Sequence, residues 1–239
     1  MKRTAEEPLP EIRDGFKFRS GRLALDLPAT LAARLKGEPR ELLATPEDLG
    51  RWLLAAGLAE RDPEPTAKEL DQARALREAL YRLGLACVEG SGFEGEDREL
   101  LNRWAAEPPP VPQLGPEGEV HWNRTGVRAF LAMLARDGVE LFGGPLATRI
   151  RQCSGEGCAL LFVDTSRSGE RRWCSMAGCG NKAKVAELRR RRRSTAADSD
   201  VEIVSEERWF KAFADSQDVL SSLADEALAE HATGRTRPL

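Results

Sequence analysis

The stretch Arg151–Arg193, RQCSGEGCALLFVDTSRSGERRWCSMAGCGNKAKVAELRRRRR, holds four of the chain's five cysteines and ends in five consecutive arginines. Cys153 and Cys158 are separated by four residues, as are Cys174 and Cys179, and fifteen residues lie between the two pairs. Closely paired cysteines deliver tetrahedral thiolates to a metal ion without strain. Gly155, Gly157 and Gly178 inside the spacers let the backbone curl around an ion and aim its N–H groups at sulfur. The spacing predicts one structural Zn2+ held by Cys153, Cys158, Cys174 and Cys179. Free or redox-active thiols and an iron–sulfur cluster are the competing readings. Four cysteines leave no open coordination position, so zinc catalysis is not expected.

The residues around the cysteines suggest a local fold. ALLFVD reads as a strand, TSRSG as a turn, and ERRWC as a returning second strand, with Trp173 packed beside the site. GNKAKVAELRRRRR has helical propensity, and its N-terminal dipoles favour nearby thiolates. Knuckle, hairpin, second pair and helix together make a treble-clef or zinc-ribbon arrangement.

Charge is unevenly spread. Residues 149–193 carry 12 Lys/Arg against 4 Asp/Glu, residues 194–239 carry 4 against 10, and the whole chain has a net charge of −3. A concentrated basic segment is the usual electrostatic footprint of a nucleic-acid contact. The candidate contacts are Arg167, Arg171 and Arg172 on the hairpin, and Lys182, Lys184, Arg189, Arg190, Arg191, Arg192 and Arg193 on or after the helix. Double-stranded DNA is the expected partner. The competing reading is a zinc-stapled protein-interaction module, with Arg171 and Arg172 salt-bridged to an acidic domain and the arginine run solvated.

Upstream, the pattern is helical. Thr45 caps a helix with Pro46 in its first turn, acids at Glu47 and Asp48, and Gly57 at its end. Thr66 and Glu69 form a capping box for a second helix, whose apolar face is Leu70, Ala73, Leu76, Leu80 and Leu83. Cys87, near its end, reads as a small core residue. A third helix covers 96–105. The segment EPPPVPQLGPEGE reads as an extended loop, VHW as a short strand, and GRLALDL as either a strand or the start of a helix. A fourth helix runs over 125–142. Downstream, STAADSDVEI reads as an acidic linker, followed by a helix anchored by Trp209, Phe210 and Phe213. The expected class is mainly α: a helical domain at 16–148, a four-cysteine module at 149–193, and an acidic linker with a C-terminal helix at 194–239.

The motifs C-x4-C, LFVDTSR, RRWCSM and CGNKAK resemble the CGNR zinc-finger family. GRLALDL…ATPEDLGRWLLAAGL, with the helix leading into TRIRQC, is similar to that family's usual partner, the all-helical ABATE domain. The resemblance covers roughly residues 16–193 and implies a bacterial transcription regulator, with DNA binding inferred for the family from its basic residues. Two positions depart from the pattern. Lys182 stands where the naming motif has arginine, so the planar fork that grips phosphate bidentately is lost. Pro28-Ala29-Thr30 follows LDL where the family often has Asn-Thr.

Other functions find little support in the sequence. The two histidines, His121 and His231, lie far apart, and there is no P-loop, Rossmann glycine signature or GxSxG. No enzyme is expected. No apolar run approaches the roughly 20 residues a membrane helix needs, and the N-terminus has no apolar signal region. A cytoplasmic protein without a membrane partner is the expectation. A small-molecule ligand inside the helical domain is open, since bundles enclose pockets, and no heptad seam sets an oligomeric state.

Overall fold

The computed structural model describes residues 10–123 and 125–197, with side chains to residue 191. The chain divides into two compact units after Glu187. The first holds two small strand pairs near its start, β1 (Ile12–Arg13) with β2 (Phe16–Lys17) and β3 (Leu31–Ala32) with β4 (Arg40–Glu41), flanking the short helix α1 (Leu23–Asp26). Helices α2 (Pro46–Ala55), α3 (Ala67–Glu89), α4 (Gly95–Ala106) and α5 (Val127–Gly143) follow, with the antiparallel pair β5 (Val111–Leu114) and β6 (Val120–Asn123) between the last two. The cysteine segment supplies β7 (Ile150–Gln152), β8 (Leu161–Val163) and α6 (Asn181–Ala197), whose residues Leu188–Ala197 are the described part of the second unit.

Local chemistry explains the helix starts. Thr45 and Asp48 cap α2 reciprocally, and Thr66 and Glu69 do the same for α3. Gly57 and Gly90, at φ +73° and +68°, follow the ends of α2 and α3 in the left-handed conformation that glycine adopts cheaply. The ambiguous GRLALDL segment is a helix because its cap comes from a distant helix. Asp137 of α5 accepts from the Ala24 amide at 2.8 Å and from Arg22 Nε at 2.7 Å. Ala24, Leu25 and Leu27 are then fully buried.

The proline-rich segment is not the extended loop expected. Its middle, Val111–Leu114, pairs with the VHW strand, Pro112 opposite Trp122 and Leu114 opposite Val120. The Gly115 amide donates to Glu119 O at 2.8 Å, and from there bonded and non-bonded pairs alternate along the ladder. Pro112 falls on a non-bonded position, where its missing N–H costs no ladder bond.

The core is built mainly from α2, α3 and α5, with Trp52, Leu76, Leu80, Phe130, Leu131 and Leu134 among its fully buried side chains. Each such side chain contributes roughly 1.5–3 kcal/mol. Strand β8 is buried on both faces. Leu161 and Val163 enter the helical core together with Ile150 of β7, while Phe162 enters a small separate cluster with Leu160, Cys153 and Cys174. A strand buried on both sides reads as an unbroken apolar run, which accounts for ALLFV. Gly84 of α3 makes room for it: a Cβ there would lie 2.7 Å from Leu161 Cδ1.

Helix α6 continues through Ser194–Ala197, where the sequence predicts the linker to have begun. The remaining linker, the C-terminal helix and its Trp209, Phe210 and Phe213 lie outside the described residues.

Candidate metal centre

Cys153 directly follows β7, and its amide donates to Leu160 O at 2.9 Å just beyond the last strand pair. The chain then turns through Ser154–Gly157, with Gly157 at φ +67°, and the Cys158 amide closes the knuckle on Gly155 O at 2.9 Å. Gly155 is required there, because a Cβ would lie 2.9 Å from Cys179 Sγ and 3.4 Å from Cys153 Sγ. The second pair sits at the entrance to α6. Cys174 lies in a loop, Ser175 Oγ accepts from the Gly178 amide at 3.3 Å, and Cys179 belongs to the wide π-type turn Met176–Gly180 that runs into the helix.

The four sulfurs lie within 4.8 Å of one another, and those of Cys174 and Cys179 are 3.7 Å apart. Tetrahedral Zn–S bonds of about 2.3 Å place sulfurs about 3.8 Å apart, so donor set and spacing fit zinc. Two backbone amides already point at one sulfur: those of Gly155 and Cys174 donate to Cys153 Sγ at 3.4 and 3.3 Å. Crowding also polarises the thiols. A hydrogen bond from Cys174 draws the Cys158 thiol down to about 5, and the same bond, with burial, pushes Cys174 far up. Burial and the Cys158 charge push Cys179 up to about 11. A divalent cation relieves this conflict by ligating all four as thiolates. Cys153, Cys158, Cys174 and Cys179 are thus placed to hold a single metal ion, and their all-sulfur set supports a structural zinc.

The hairpin differs from the expected one. The partner of β8 is β7, with Ile150 opposite Val163 and Gln152 opposite Leu161, and Glu170–Cys174 forms no strand. The reason lies in Arg171 and Asp164. The Arg171 guanidinium folds back onto its own segment, Nε donating to Trp173 O at 3.0 Å and Nη2 to Cys174 O at 2.5 Å. Those carbonyls accept from a side chain of their own segment instead of from a neighbouring strand. Asp164, fully buried, accepts from the amides of Ser166 and Arg171, both at 2.9 Å, and from Ser166 Oγ at 2.6 Å. The Ser166 bond leads in holding its carboxyl down at about 2. Arg149 closes the other side, donating to Asp164 O at 2.7 Å and Ser166 O at 2.6 Å. The LFVDTSR motif is therefore a hydrogen-bonded corner around a buried carboxylate, a role its residue types alone did not disclose.

The basic residues take different positions. Arg167 is exposed in the loop after Asp164, and Arg172 is exposed with its guanidinium 5.1 Å from the centre of the Trp173 ring. Lys182 and Lys184 are exposed in the first turn of α6. Arg171 is half-buried, over the Phe162 ring at 4.5 Å. Arg189, Arg190 and Arg191 are exposed on the helix, and Arg192 and Arg193 continue its backbone. Two cations that the sequence did not single out abut the knuckles. The Lys36 stem lies against Gly157, where a Cβ would be 2.8 Å from its Cε, and Arg19 Nη1 would lie 3.4 Å from a Cβ on Gly178.

A family model described as CGNR zinc finger matches residues 149–192, and one described as "ABATE: Putative stress-induced transcription regulator" matches residues 21–145. A comparison with curated proteins finds no match. The helical model covers more than half of the chain, and the zinc-finger model follows it in the expected order. The chain therefore belongs to the ABATE family, and its cysteine segment is a CGNR zinc finger.

Proposed function

We propose that this protein is a transcription regulator that binds double-stranded DNA through the basic surface of its zinc module. The observation that carries the reading is the exposure of Arg167, Arg172, Lys182 and Lys184 around a zinc-fixed loop and helix start. Exposed cations on a fixed frame neutralise phosphates without first ordering the chain, and counterion release then drives association. The arginine run Arg189–Arg193 adds five further charges. Lys182, in place of arginine, contacts phosphate as a point charge. The helical domain, whose family is described by its link to stress, acts in this reading as the sensor or partner-binding part. Both matched families are of regulator and zinc-finger type, which accords with a non-catalytic role.

Single alanine substitutions at Arg167, Arg172, Lys182 and Lys184 test the proposal. Each phosphate contact removed should weaken binding about equally on unrelated duplexes and reduce the slope of log K against log salt by about 1. Four variants with wild-type slopes would move the contact elsewhere. Absence of DNA binding by the zinc-loaded chain at low salt would favour a protein partner.

A further inference from the structure

We propose that Arg171 is a positioning residue of the metal centre that tunes the thiolates by relaying its charge through a peptide group. The inference rests on the zinc site and is independent of DNA binding. Arg171 Nε donates to Trp173 O at 3.0 Å. That carbonyl belongs to the same peptide group as the Cys174 N–H, which donates to Cys153 Sγ at 3.3 Å. A guanidinium on the oxygen end of an amide polarises it and strengthens the donor at the nitrogen end. The positive charge of Arg171 thus acts on the sulfur of Cys153 through one peptide. Its Nη2 holds the next carbonyl, Cys174 O, at 2.5 Å, so both carbonyls flanking the Cys174 side chain are gripped by one planar fork.

Other groups keep the fork in place. The Phe162 ring lies 4.5 Å beneath the guanidinium, and buried Asp164 fixes the Arg171 amide at 2.9 Å. Among the hydrogen bonds described for Arg171, every side-chain acceptor is a carbonyl of the ligand loop. A residue so engaged acts on the ion through its ligands, as groups outside the coordination sphere commonly do. Lysine has one ammonium and no fork, so it cannot reproduce both bonds with the same geometry.

The test uses the full chain. Zinc affinity is measured by competition with a chromophoric chelator, and the ligand-field and sulfur-to-metal charge-transfer bands are recorded after substitution with Co2+. We expect R171A and R171K each to lower zinc affinity by about 10–100-fold and to shift the charge-transfer band, because sulfur loses part of its hydrogen bonding. R103A, which removes an exposed arginine of α4, should leave both readouts at the wild-type values. If R171A does not fold, Asp164→Asn gives the same reading, since it weakens the anchor of the Arg171 amide while keeping side-chain volume. Wild-type affinity and an unshifted Co2+ spectrum in the folded variants would overturn the proposal, as would full rescue by lysine.

Discussion

Leu161, two residues into the apolar run after the first cysteine pair, lies against Gly84 of α3, where a Cβ would come within 2.7 Å of its Cδ1. The zinc finger is therefore joined to the helical domain through a shared core. Ile150, Leu161 and Val163 belong to the same buried cluster as Trp52 and Phe130, and Phe162, between the last two on β8, belongs to the metal side.

This contact has a testable sign. Leu161→Ala should cost about 2–5 kcal/mol. Gly84→Ala gains about 1 kcal/mol of helix propensity but loses about 1–3 kcal/mol to overpacking. In the Leu161→Ala background the nearest clash is gone, so the same Gly84→Ala change should become stabilising. Denaturant melts of the four proteins measure the coupling. Simple additivity would mean that Leu161 and Gly84 do not touch.

Zinc removal should reach the helical domain. The cysteine knuckle is the turn joining β7 to β8, and that hairpin carries core residues. Chelation is expected to lower the thermal midpoint of the whole cooperative transition and to speed amide exchange in α3. An unchanged α3 would show that the hairpin keeps its packing without metal.

Gly155→Ala tests the geometry of the site more locally. The added methyl would press on Cys179 and on the Cys153 sulfur, and neither position is free to move while both bind the ion. Metal analysis should give one zinc per wild-type chain, and chelator competition should show an affinity loss of about tenfold or more for the variant. Wild-type affinity would mean that the knuckle opens without cost.

Asp26 gives a pH signature. Burial raises its carboxyl to about 6, above the ordinary value of 3.8, against hydrogen bonding from Ser20. Between these values the folded chain holds a proton that the unfolded chain has released. The Asp26 contribution to stability is therefore fully present below pH 4, is lost as pH rises towards 6, and stays lost above it. The span is about 2–3 kcal/mol. Asp26→Asn, which retains an oxygen for the Ser20 amide, should flatten this slope when urea melts are compared across pH 4–7. An unaltered slope would assign it to another group.

Much of this architecture was legible because its determinants are local. Thr45 and Thr66 cap with residues three positions on, and the cysteines announce a metal by spacing alone. What was missed depends on distant partners. Leu23–Asp26 is a helix because Asp137, more than a hundred residues away, caps it. The true partner of β8 precedes the cysteines, and Glu170–Cys174, whose residue types suit a strand, is diverted by the inward turn of Arg171. Arg171 looked like its neighbour Arg172, since composition does not distinguish a cation facing solvent from one facing carbonyls. Pro112 hid a strand because only the pairing register reveals that its missing donor is harmless.

The most direct test of the functional account is fluorescence anisotropy of a labelled random duplex titrated with the zinc-loaded full chain between 50 and 200 mM salt, beside a chelator-treated control. With about six phosphate contacts, affinity should fall roughly a thousandfold across that range, and the binding should disappear with the metal. Binding of equal strength and salt dependence with and without zinc would contradict the account, because the zinc-fixed frame would then have no part in holding the basic surface to DNA.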